Sequence, residues 1–158
     1  MNGINQIDQD EMIDKVIYKK RKGIVVLRRM GNMLFVSGHG PENQITGEPL
    51  FRGRIGEDLT LEEGRRAAGE CAVIILGALQ DYLGDLDHLE GILKVFGLVN
   101  CGETFSDIQQ VMDGFSDMIM EVLEERGYHT RTEMGTRNLP NGNIPVEIEV
   151  IAAVREGY

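Results

Sequence analysis

Tryptophan is absent from the chain, and histidine and cysteine are nearly so, at three and two copies in 158 residues. Two cysteines, Cys71 and Cys101, cannot build a multi-bridge disulfide scaffold, and they lack the spacing of a metal knuckle. A reduced, cytoplasmic setting is therefore expected, with no metal and no cofactor. Scattered histidines offer no evident acid–base pair of the kind that RNA cleavage commonly uses. Positive charge is also scarce: 16 Lys and Arg stand against 26 Asp and Glu, a formal net charge of −10, which argues against nucleic-acid binding. No apolar run approaches a membrane span, and the polar, acidic first residues do not read as a signal peptide. Internal repeats and low-complexity segments are lacking too.

What is present suits one domain over 23–158, preceded by an extension over 1–22 that ends in the basic run Lys19-Lys20-Arg21-Lys22. Residues 23–38 predict a β-hairpin, IVVLRR and MLFVS turning at Gly31-Asn32. The Gly- and Pro-rich stretch 41–58 reads as a loop with a possible short strand at 50–54. Thr60-Leu61-Glu62-Glu63 is a capping box, opening a helix that runs to about Leu83 and ends at Gly84. Its stripe of Leu61, Ala68, Cys71, Ala72, Ile75, Leu79 and Tyr82 places Cys71 in the core. Its small residues Ala67, Ala68, Gly69 and Ala72 suit close packing on a sheet. A strand is predicted over 92–99, followed by Cys101 on a loop where it could be exposed. A second helix is predicted over 106–126, with Met112 and Met118 filling its core face.

The last stretch, 129–154, reads as two strands joined by a tight turn at Pro140-Asn141-Gly142. Val146, Ile148 and Val150 alternate with Glu147 and Glu149, the period-2 pattern of a strand with one buried face. Arg131 on the first strand is a natural bidentate partner for a small carboxylate. A bland alternative pairs it with Glu147 or Glu149 across the hairpin.

An arginine eight residues before Leu139-Pro140, then a turn and V-E-I-E, resembles the C-terminal signature of the Rid/YjgF family. These are enamine/imine deaminases formerly labelled L-PSP endoribonucleases. Leu34-Phe35-Val36-Ser37-Gly38-His39-Gly40-Pro41 resembles the family's L-F-V-S-G-Q-x-P segment, and together the motifs span most of the chain from about Gly23 to Val154. The resemblance implies an α+β, two-layer chorismate-mutase-like domain, a mixed sheet with two long helices on one face. It further implies a homotrimer with a pocket at each subunit interface, taking a small imino or keto acid. Arg131 falls on the family's carboxylate-binding arginine, Ser37 and Gly38 on its pocket loop, and Glu147 on the first glutamate of its E-I-E strand. The implied reaction is hydrolysis of 2-imino acids to 2-keto acids and ammonia, with Arg131 and Glu147 as the catalytic residues. The chain departs from the pattern at Glu133, where many members have cysteine, at His39, where they have glutamine, and near Ile24, where they have an aromatic. Two other readings remain: a non-catalytic trimer that binds small carboxylates, and the endoribonuclease of the older label.

Overall fold

The computed structural model describes residues 23–157, so the expected extension over 1–22 lies outside the described residues. Five strands form one mixed sheet: β1 (Leu27–Met30), β2 (Met33–His39), β3 (Leu89–Asn100), β4 (Thr130–Thr136) and β5 (Val146–Val154). Their order across the sheet is β1-β2-β5-β3-β4. The two long helices, α1 (Leu61–Leu83) and α2 (Ile108–Leu123), cover one face. The expected two-layer architecture is the one found.

Local chemistry explains most boundaries. The capping box at the head of α1 forms in full: Thr60 Oγ1 accepts from the Glu63 N–H, and the Glu63 carboxylate accepts from the Thr60 N–H. Gly84 closes the helix with its N–H on the Gln80 carbonyl. The expected β1–β2 hairpin is present, with Gly31 at φ +63° in its turn. The α2 helix stops earlier than its apolar spacing predicts. Glu124 adopts φ 52° while its N–H bonds to the Met120 carbonyl, and a 3-10 turn over Glu124–Gly127 follows. No strand forms at 50–54; the loop there is anchored by Ile55, fully buried, whose N–H and carbonyl bond to the Asn100 carbonyl and the Gly102 N–H.

The C-terminal pair departs from the predicted hairpin. Strands β4 and β5 are not neighbours, because β3 lies between them. β4 joins β3 in parallel, Val95 opposite Arg131, and a parallel pair needs the long crossover that α2 supplies. β5 instead runs antiparallel to both β2 and β3 in the middle of the sheet. The connecting chain therefore crosses the end of β3. There Asn100 catches it, its Nδ2 donating to Asn143 Oδ1 at 2.9 Å and to the Ile144 carbonyl at 3.1 Å. Asn141, Gly142 and Asn143 all take positive φ in this turn, the conformation that Asn and Gly tolerate best.

The core lies between sheet and helices. Val95, Val99, Val146, Ile148 and Val150 meet Cys71, Ile75, Met112 and Phe115 there, all buried. Cys71 is a core residue as its stripe predicts. Cys101 is also buried, not exposed: it pairs with Ile55 and its N–H bonds to the Thr136 carbonyl, and burial pushes its thiol pKa up. Among the described residues, the opposite face of the sheet carries no helix. It presents Phe35, Met33 and Met134, exposed, beside the half-buried Phe96, Leu98 and Ile151.

Candidate functional site

Opposed residues on neighbouring strands share a face, so the registers decide where each expected site residue points. Gly97 shows which face β4 uses, because a Cβ there would overlap Met112 of α2. Glu133 is its partner across the ladder, and Arg131 is the partner of buried Val95. Arg131 and Glu133 therefore lie on the helix side. Glu147 and Glu149 face Leu98 and Phe96 and lie on the open side. The sheet itself separates Arg131 from Glu147 within one chain, and the alternative ion pair of Arg131 with Glu147 or Glu149 does not form.

The open-side group is compact. Gly38, Phe96, Leu98, Glu147 and Glu149 line a small cavity of about 50 Å³. Gly38 is required by contact: a Cβ there would come within 2.5 Å of Glu147 Oε1. Burial, and then the nearby Glu42 and Glu149 carboxylates, push the Glu147 pKa up. A half-buried carboxylate of this kind takes and returns a proton more readily near neutrality than an exposed one does. Ser37 is adjacent, its Oγ donating to the Val25 carbonyl at 2.7 Å, which leaves the oxygen lone pairs available as acceptors. His39 points to the other side, opposite Ile148 and buried.

Arg131 meets partners that sequence reasoning did not find. Its Nη1 donates to Ser116 Oγ at 2.8 Å, and its Nη2 to Asp113 Oδ1 at 2.8 Å and the Gln109 carbonyl at 3.4 Å. Its Nε lies 3.3 Å from Glu133 Oε2, so the Glu133 side chain turns towards the arginine. Ser116 in turn bonds to His129 Nε2 at 3.0 Å, and His129 Nδ1 lies 2.6 Å from the Gly127 carbonyl. Ser116, Met120, Tyr128, His129 and Arg131 line an open cavity of about 260 Å³. Asp113 and Ser116 are three apart on the polar side of α2, a spacing visible in the sequence, but the β3–β4 register that brings Arg131 under them is not.

Among the described residues, no group of His, Cys, Asp and Glu is placed to hold a metal ion, and no helix is long and apolar enough to cross a membrane.

Two helices on one face of a mixed five-stranded sheet, with no helix among the described residues on the other, define a two-layer chorismate-mutase-like α+β protein. The chain belongs to the YjgF/chorismate mutase-like, putative endoribonuclease family, whose pattern it matches over residues 25–147. It is 37% identical to protein TCP17 of Trypanosoma cruzi over 122 residues, 77% of this chain and 74% of that protein. The crystal structure of Atu1372 from Agrobacterium tumefaciens, a protein of unknown function, superposes with a TM-score of 0.81 at 31% identity, covering 95% of this chain and 97% of that one. RidA from an Antarctic Psychrobacter shares the fold, with a TM-score of 0.61 at 18% identity over 89% of this chain and 95% of its own.

Proposed function

We propose that this protein is a hydrolytic deaminase of small imines and enamines, working at a site completed by a second copy of the chain within a closed homotrimer. The observation that carries the reading is Glu147: a half-buried carboxylate with a raised pKa, pressed against the Gly38 backbone on an apolar sheet face that no helix among the described residues covers. Exposed apolar area of this kind marks an association surface. Arg131 and Glu147, on opposite sides of the sheet in one chain, can share a site only across an interface between copies.

In the proposed reaction a water held by Glu147 adds to the imine carbon. The carboxylate takes one proton from the water as the C–O bond forms and passes it to the nitrogen, giving a carbinolamine; it then carries the hydroxyl proton to the nitrogen as the C–N bond breaks and the C=O bond forms. Ammonia and a carbonyl compound leave. An imine is already electrophilic, so positioning and proton transfer supply the catalysis. RNA cleavage finds less support, because Glu42 and Glu149 beside Glu147 would repel a phosphate backbone.

The test is hydrolysis of imines generated in situ by an oxidase, followed as ammonia release over the buffer rate. Glu147→Gln keeps the shape and removes the proton carrier, and it should lower the rate by about 10²–10⁴-fold. A rate equal to that of the unsubstituted protein would remove Glu147 from the chemistry, and no acceleration with any imine would remove the enzyme.

A further inference from the structure

We propose that the imine this site takes carries no carboxylate beside its C=N bond: the substrate class is the imines of simple amines, not 2-imino acids. The inference rests on the hydrolytic reading above and turns on what already holds Arg131.

A guanidinium captures a carboxylate through two parallel N–H bonds, either Nε with Nη2 or Nη1 with Nη2. Both forks of Arg131 are engaged. Nε faces Glu133 and Nη2 faces Asp113, which occupies the first fork with two carboxylates. Nη1 donates to Ser116 and Nη2 again to Asp113, which occupies the second. One positive and two negative charges leave this cluster net negative before any ligand arrives. Only 15% of the arginine side chain is exposed, so water screens a further anion poorly.

The arginine is also held from behind. A guanidinium can only donate, so Ser116 Oγ must accept from it, which leaves the serine proton for His129 Nε2 in the neutral imidazole. A carbonyl can only accept, so His129 Nδ1 carries the proton directed at Gly127. Every group in this chain of hydrogen bonds has one consistent role, and the chain fixes the guanidinium towards α2. Swinging Arg131 out to an anion would break the hydrogen bonds to Ser116 and Asp113 and the ion pair with Glu133 together.

The cavity on the open face has the same sign. Glu147 and Glu149 line it with Glu42 nearby, while Lys94, a cation of that face, bonds to Thr132 Oγ1 and is not part of the lining. Phe96 and Leu98 supply its apolar wall. Such a cavity favours a hydrocarbon group on a neutral imine or an iminium cation, and repels a carboxylate. The protonated form is also the more electrophilic: water bonds to carbon as Glu147 takes one of its protons and passes it to nitrogen, the hydroxyl proton follows by the same route as the C–N bond breaks, and ammonium and a carbonyl compound leave.

The experiment compares two imines made in situ with the full chain present. A flavin amine oxidase acting on benzylamine supplies an imine without a carboxylate, and an L-amino acid oxidase acting on leucine supplies a 2-imino acid. Acceleration over buffer should be at least about tenfold greater for the first. Equal or greater acceleration of the imino acid would overturn the inference while leaving the hydrolytic reading standing. Acceleration of neither imine would overturn both. Binding gives a readout apart from turnover: 2-oxobutyrate, a small keto acid, should bind at least tenfold more tightly to the Asp113→Ala, Glu133→Ala double variant than to the unsubstituted protein. Equal affinities, with the variant shown to be folded by its melting transition, would also overturn it.

Discussion

The His39 imidazole lies on the helix side of β2, where burial pushes its pKa down to about 4 and the hydrogen bond to the Gly38 backbone acts the other way. Unfolded, it titrates near 6.5. Between these values the unfolded chain binds a proton that the folded chain refuses, so the stability present above about pH 6.5 is lost as pH falls towards 4. The shift corresponds to about 3 kcal/mol at most. His39→Gln removes the titration, and its thermal midpoint should fall less than that of the unsubstituted protein between pH 7 and 4; parallel curves would contradict this. Glu147 is shifted with the opposite sense, its charge disfavoured by burial and by two neighbouring carboxylates, which is a cost the fold bears where the chemistry is proposed. At this scale the identities of the candidate residues were legible, but their facing was only half so. Val146, Ile148 and Val150 announce which side of β5 is buried, and so place Glu147 opposite. The strand Thr130–Thr136 has no apolar alternation, so nothing in it says that Arg131 turns towards α2.

At the scale of elements, the α1–α2 contact depends on one glycine. A Cβ on Gly114 would overlap the Arg65 carbonyl oxygen, a backbone atom that cannot move without its helix. Arg65 also clamps the crossing, its guanidinium reaching the Gln110 carbonyl and the Asp117 carboxylate. Ala in place of Gly favours a helix by about 1 kcal/mol in isolation, yet overpacking costs about 1–3 kcal/mol. Gly114→Ala should therefore lower stability by up to about 2 kcal/mol in urea unfolding, and a gain would show that the helices can part freely. Both helices were legible from capping and apolar spacing, because those signals are local. Gly69, expected to serve packing on the sheet, instead lies against the Gly114 carbonyl of α2. The terminal hairpin was misread for a related reason: turn residues and alternation describe two strands and a bend, but not a third strand between them. Ile55 and Asn100 were missed because each acts on chain far away in sequence, Asn100 on a turn 43 residues later.

For the whole molecule, the sheet face that the described residues leave open sets the expected assembly. Phe35 and Met134 stand exposed there with Phe96 and Ile151 between them, and light scattering in dilute solution should give three times the chain mass. Phe35→Asp places a charge on that face without touching the core, so it should shift the mass towards a monomer while the melting transition remains cooperative. An unchanged trimer would place the interface elsewhere. The sheet order has a consequence for synthesis as well. Its central strand, β5, follows the other four described strands in the chain, and it supplies the ladders for both β2 and β3. A nascent chain emerging from the ribosome can form its helices and two separate pairs of strands, β1 with β2 and β3 with β4, but these cannot join until Val154 has cleared the exit tunnel. Until then both pairs present open apolar edges, so a stall a few residues short yields a chain for chaperones or proteases, not a weakened domain.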